Sequence, residues 1–240
     1  MSGSNSRHFY LHKDRKMDNS MSGNSYSFDG FLFNLYIAPM KESGIRKPLA
    51  LEENDELLLK CFKDHFNFTI ANFPSIRTHF KFYQKKKKDF LVREGYTSTN
   101  YFLILEGYVR AFYRTENGEE VTIDLLGKGE FASSMYSILK RAPSFEDIQC
   151  LTDGIVCQIS EASFEALAAE DPAWIQFGMT CLKAALLKKE ERILTFGKLK
   201  GKERYAKLMA ERPDIIKNVP VQYIASYIGV KPESLSRIRG

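Results

Sequence analysis

Cysteine, histidine and long apolar runs are all scarce in this chain, and each scarcity closes off a class of protein. The four cysteines, Cys61, Cys150, Cys157 and Cys181, are scattered without CxxC spacing. They supply neither a disulfide framework nor a zinc or iron–sulfur cradle, and they predict buried thiols in a reducing cytoplasm. The four histidines, His8, His12, His65 and His79, all precede the stretch Phe90–Ser160. A jelly-roll metalloenzyme needs two or three His and a carboxylate inside its barrel. The enzyme reading therefore falls away, and no catalytic residue, metal ligand or cofactor is assigned. His65 and His79 each read as structural rather than as haem ligands. No run approaches the ~20 apolar residues of a membrane span. The most apolar early stretch, Phe31–Pro39, contains Asn34. Arg7–Lys16 is basic, but no uninterrupted apolar core and cleavage site follow it, so no secretory signal is read there.

What is present fits a globular chain of about two domains. It has 240 residues, 44% apolar and 27% charged, with a formal net charge of +5. That charge is unevenly placed. From Lys198 onward there are ten Lys/Arg and four Asp/Glu, against 25 and 26 in residues 1–197. A compact basic module on a near-neutral body is the electrostatic footprint of a nucleic-acid binder.

Residues 1–48, rich in Ser, Asn, Gly and Met, read as a disordered or irregular extension, with Met40 a plausible alternative start. Leu57, Leu58, Cys61, Phe62 and Phe66 have helical spacing. From about residue 80 to 160 the pattern changes to short β runs punctuated by glycine, such as Tyr101–Leu105, Tyr108–Tyr113 and Val121–Leu126. Asn117-Gly118 between two of them predicts a type I′ hairpin. About eight strands at this spacing predict a jelly-roll β-barrel, and residues 49–170 are assigned to it. The run Lys85–Lys88 reads as a solvated turn or a charged edge.

At Asp171-Pro172 the period changes again. Asp171 suits an N-cap and Pro172 the first helical position. Ile175, Met179, Leu182, Leu186, Ile193 and Phe196 then form a heptad stripe, with Lys189 at the skipped position. Its other faces are polar (Lys183, Lys188, Glu191, Arg192), so residues 171–197 predict a dimerisation helix, with Gly197 as a hinge.

Residues 198–240 predict a helix-turn-helix module, the end at Gly240 leaving it open to truncation. Lys202–Arg212 forms a first helix with Tyr205, Leu208 and Met209 inward, stopped by Pro213. A helix from about Val221 to Tyr227 buries Ile224 and Ile228, with small Ala225 where the two helices approach. Gly229 supplies the left-handed turn, Val230 plugs the corner, and Pro232 starts a second helix with Leu235 and Ile238 inward. The outward residues suit DNA: Gln222, Lys231, Glu233, Ser234, Ser236, Arg237 and Arg239. Arg can bond guanine bidentately, Glu can accept from cytosine, and Ser can bond a base or a phosphate.

A glycine-punctuated barrel, a long helix after Asp-Pro and a terminal helix-turn-helix resemble the Crp–Fnr family of bacterial transcription regulators. Val219–Arg239 is similar to Bacteroidetes-type members, and the resemblance covers roughly residues 50–240. It implies an α+β chain: a cyclic-nucleotide-binding-like sensor barrel, a dimerisation helix and a winged-helix-like DNA-binding domain. It further implies a homodimer on a near-palindromic double-stranded operator, RNA polymerase as a further candidate partner, and no membrane association. By position, the family's base-reading Glu and Arg fall on Glu233 and Arg237, while its usual Arg before that Glu is Pro232 here.

The resemblance also locates a ligand pocket, and this sequence departs from it. Cyclic-AMP-binding members hold the phosphate with a Gly-Asp-Phe-x-Gly-Glu-Leu cassette followed by Arg-Ser. Here Gly129–Met135 places Ser133 and Ser134 in the cassette, with Ser134 at the Glu position. Ser144 falls at the Arg position, followed by Phe145-Glu146-Asp147, and Lys189-Glu190 falls on the adenine-contacting pair. Burying a phosphate without a paired cation costs several kcal/mol, so cyclic AMP is not the expected ligand and the effector stays unidentified. The rival from another class is a regulatory module of the same barrel sensing another small molecule with no DNA role. The helix-turn-helix face argues against it.

Overall fold

The computed structural model describes residues 51–239; the extension expected over residues 1–48 lies outside them. The first helix, α1 (Leu51–Phe66), buries Leu58, Cys61 and Phe62, three positions on one face. A short helix α2 (Phe73–Ile76) and a 3₁₀ turn lead into the strands.

Eight strands follow: β1 (Lys81–Lys85), β2 (Phe90–Val92), β3 (Asn100–Glu106), β4 (Val109–Arg114), β5 (Glu120–Leu126), β6 (Phe131–Ala132), β7 (Asp147–Cys150) and β8 (Gly154–Ser160). They form two antiparallel four-stranded sheets, ordered β1-β8-β3-β6 and β2-β7-β4-β5. The expected strand number is found, but the sheets are hydrogen-bonded separately and do not close into a barrel. The domain is a sandwich. Its core lies between the sheets and includes Phe102, Ile104, Val109, Ala111, Ile148 and Val156. β3 alternates: Phe102 and Ile104 face this core, whereas Leu103 and Leu105 face a second core under α1.

The β4–β5 connection is a hairpin, but not the expected two-residue one. Thr115 and Glu119 close a three-residue loop (Thr115 N–H to Glu119 O, 2.9 Å), and Gly118 N–H donates to Thr115 O. Only Gly118 has positive φ (79°), the pattern of a turn followed by a left-handed glycine rather than type I′.

Two further helices belong to the sandwich and carry no clear period in the sequence: α3 (Met135–Lys140), capped by Ser134, and α4 (Glu161–Glu170), capped by Ser160. The long helix α5 (Ala173–Lys198) begins one residue later than expected, yet Asp171 Oδ1 still accepts from Ala173 N–H at 2.9 Å. Trp174 and Phe177 anchor its start in the second core, stacked among Phe62, Phe66, Phe68 and Phe80. Gly197 is helical and open to solvent, so the break falls not there but at Leu199, whose backbone is extended (ψ 143°).

Four helices follow: α6 (Gly201–Glu211), α7 (Pro213–Asn218), α8 (Val221–Tyr227) and α9 (Pro232–Arg239). Pro213 ends one helix and starts another, since proline suits a first helical position. Met209, expected inward, is 50% exposed; it follows Leu208 round the helix, and Leu208 takes the buried face. Residues 199–239 hold no strand, so the wing of a winged-helix-like module is not among the described residues. The module's core is Tyr205, Leu208, Ile215, Ile224, Ala225, Ile228 and Leu235, joined by Leu125 and Leu151 of the sandwich.

Candidate functional site

The α8–α9 pair is built as its spacing predicts. Ala225 and Leu235 are fully buried and Ile224 and Ile228 nearly so. Gly229 adopts φ 67°, and Val230 N–H returns to Ala225 O at 3.0 Å. A side chain at position 229 would also strike the Phe196 ring, 2.7 Å from an added Cβ. Burying Leu235 turns the rest of α9 outward: Lys231, Glu233, Ser234, Ser236, Arg237 and Arg239 are all exposed, as is Gln222 on α8. Ser236 donates to Pro232 O within the helix (3.1 Å).

The pocket positions converge differently from a phosphate site. Ser134 and Ser144 are buried, with their Oγ atoms 3.0 Å apart. Ser144 Oγ lies 2.8 Å from Glu146 O and accepts from Glu146 N–H at 3.1 Å. Burial raises the Glu146 carboxyl above its ordinary value, opposed by a hydrogen bond from Ser134 and by the charge of Lys189. The chain's own carboxylate thus lies beside the cassette serines. Ser133 is half-buried, with Oγ 3.6 Å from Met135 Sδ, while Lys189 and Glu190 are exposed on α5. Asp147, next along β7, is bonded by Arg114 (2.6 Å) and by Glu94 N–H (2.9 Å).

On α5 the stripe stands out from the chain. Ile175, Met179, Leu182, Leu186 and Ile193 are 44–71% exposed, and Leu187 and Leu194, which the heptad does not include, widen it. Phe196, at its end, is also engaged within the chain, with the guanidinium groups of Arg192 and Arg204 over its ring at 4.6 and 4.7 Å.

How the C-terminal module is seated has no signal in the sequence. α8 covers β5, an edge strand of its sheet. Thr122 N–H donates to Ser226 Oγ (2.9 Å), and Arg192 bridges from α5 to Tyr227 O (2.9 Å) and Thr122 O (3.2 Å). Arg110 stacks on Tyr223 at 3.9 Å. Arg212 and Lys188 both meet Glu130 at 2.9 Å, and Lys188 also meets Asp124 at 2.9 Å. Lys188 and Arg192 had read as solvated positions of a polar helix face.

Cys61, Cys150 and Cys157 are buried and Cys181 partly so. Burial pushes the Cys61 thiol up to about 11 and that of Cys150 to about 12, which leaves them unreactive. Among the described residues no group of three or more His, Cys, Asp and Glu could hold a metal ion, and no helix is long and apolar enough to cross a membrane.

Residues 83–171 match the cyclic nucleotide-binding domain family. That span runs from within β1 to Asp171, just before α5, so the match falls on the sandwich. No curated protein matches the chain. Solved structures share the wider fold. FixK2 from Bradyrhizobium japonicum is 18% identical with a TM-score of 0.59, over 67% of this chain and 82% of that one. CLP of Xanthomonas campestris, a c-di-GMP-responsive global regulator, is 16% identical with a TM-score of 0.58, over 70% and 89%. A CRP/FNR-family transcriptional regulator from Thermus thermophilus is 17% identical with a TM-score of 0.52, over 66% and 83%. The fold is that of Crp/Fnr transcription regulators.

Proposed function

We propose that the chain is a sequence-specific DNA-binding transcription regulator of the Crp–Fnr type, acting as a homodimer on a near-palindromic operator. The observation that carries this reading is α9, whose one buried face positions a helix with Glu233, Ser234, Arg237 and Arg239 in solvent. Such a helix fits a major groove, with Glu233 and Arg237 addressing neighbouring base pairs and Lys231 a phosphate. The α5 stripe supports the dimer, because a contiguous apolar strip of this extent on a soluble surface marks an interface.

The cassette supports a regulator not controlled by cyclic AMP. Ser134 and Ser144 bond each other, and the cassette carries an acidic side chain, Glu146, where a phosphate would need a cation. The family and the neighbouring folds are regulatory, in keeping with a non-enzymatic role. A gel shift on the region upstream of the chain's own gene tests the reading. A retarded band competed by the same duplex but not by a scrambled one is expected. No retardation at micromolar protein and low salt would favour a sensor module without a DNA role.

A further inference from the structure

The junction between β5, α5 and the C-terminal module forms a solvent-open cavity of about 260 Å³. Leu125, Phe196, Leu208 and Ile228 give it an apolar wall. Five cations line it together with the carboxylates of Glu130, Glu191 and Glu211, and three of the cations are ion-paired. Lys188 meets Asp124 and Glu130, Arg212 meets Glu130 and Asp214, and Lys207 meets Glu211. The other two are Arg192 and Arg204. Among the described residues neither has a carboxylate within ion-pair distance, and both bond only backbone carbonyls. Arg192 uses its two Nη atoms on Tyr227 O and Thr122 O. Arg204 uses Nε on Ile228 O (2.7 Å) and Nη1 on Leu199 O (2.5 Å). Each guanidinium has five N–H groups and spends two on these carbonyls, so three remain as donors on each, and Phe196 holds both guanidinium planes in place.

We propose that this cavity is a binding site for a small carboxylate carried on an apolar body, an aryl or short acyl acid. Guanidinium groups bind carboxylates through charge-assisted hydrogen bonds, and the two without an ion-paired carboxylate have N–H donors to offer one. The apolar wall takes the ring or hydrocarbon chain. A phosphate dianion is a poorer fit, because its second charge carries a larger desolvation cost into a partly apolar site. The volume lies below the roughly 300–1,000 Å³ of pockets for drug-sized ligands, which restricts the ligand to a small molecule. The walls come from the sensor sheet, the long helix and the DNA-binding module, so occupancy bears on how that module is seated. This consequence rests on the regulator reading; binding itself does not.

The test is titration of the full chain with phenylacetate and with octanoate, followed by calorimetry and thermal melting, with inorganic phosphate at equal ionic strength as control. Saturable binding of at least one acid, a melting temperature that rises with its concentration, and no response to phosphate are expected. Arg204→Met should weaken binding about tenfold or more, the effect of losing one hydrogen bond to a charged group. That variant also loses two backbone bonds and can unfold the module. Thr195→Phe therefore provides the second arm, since it narrows the cavity from the surface of α5 and leaves both arginines in place. The absence of saturable binding by either acid up to ~10 mM, a range that still detects millimolar affinity, would overturn the proposal. So would equal binding of phosphate, or undiminished binding by Thr195→Phe. If the chain fails to bind DNA at all, the regulator reading falls and this titration still decides the site.

Discussion

Glu146 holds an ionisable carboxyl inside the sensor domain, and the sign of its effect on stability follows from its surroundings. Burial raises its folded pKa above the unfolded value, so the carboxyl contributes most stability while protonated, and that contribution is lost as pH rises through the folded pKa. Once ionised, the buried carboxylate costs stability. Glu146→Gln, which keeps a hydrogen-bonding side chain, is expected to raise the melting temperature at pH 7 by a few degrees, with the advantage vanishing below about pH 4. A melting series across pH checks it; a variant less stable at pH 7 would mean that Ser134 and Lys189 outweigh burial. On α9 the residue-scale question is which charge reads sequence. Arg237→Ala should cost about 1–3 kcal/mol per half-site on operator and leave scrambled DNA nearly unaffected. Lys231→Ala should weaken both duplexes alike and shallow the salt dependence by about one charge per subunit. If Arg237→Ala weakened both equally, Arg237 would be a phosphate clamp.

At the scale of elements, α5 serves two masters along its length. Its first turns are fixed by Trp174 and Phe177, and its last turns by Arg192 and Phe196 against the C-terminal module. Between them, Leu182 and Leu186 touch solvent and are about half exposed. Leu186→Arg should leave the single-chain fold intact and place a charge in the dimer seam at a cost of several kcal/mol. Analytical ultracentrifugation should then show monomer where the wild type is dimer; a wild-type monomer at micromolar concentration would remove the seam. The α8–α9 turn is the other sensitive element. Gly229→Ala forces a side chain into φ 67° and against Phe196, and should destabilise the module by more than about 1 kcal/mol. Denaturant unfolding read by far-ultraviolet dichroism measures it.

The molecule as a whole links its sandwich to its terminal helices through polar contacts at one junction. Thr122, Asp124 and Glu130 of the sandwich meet Ser226, Arg192, Lys188 and Arg212 within a few ångströms of one another. In the cassette, Ser134 and Ser144 bond each other beside Glu146, and among the described residues no cation is paired there. Cyclic AMP at millimolar concentration is therefore expected to leave the melting temperature unchanged. Binding at 100 times the dissociation constant would add about 2.7 kcal/mol, so a clear thermal shift would reverse this reading of the cassette.

Local pattern was enough to place most elements of this protein. The range Val221–Tyr227, the glycine turn at Gly229 and the buried Leu235 were legible because small, left-handed and apolar positions recur at distances fixed by helix geometry alone. The same holds for the exposed α5 stripe and for the eight strands. Whether two sheets close or stay apart was not legible, since it depends on which edges pair, and β5 pairs with β4 on one side and is covered by α8 on the other. Nor were α3 and α4, short helices with little period of their own. Arg192 and Lys188 have the residue type and spacing of a solvated helix face, and only the docking of α8 on β5 turned them into a bridge between domains. The cavity with Arg192 and Arg204 on its wall is likewise a product of that docking, because it joins positions more than seventy residues apart that no local period relates.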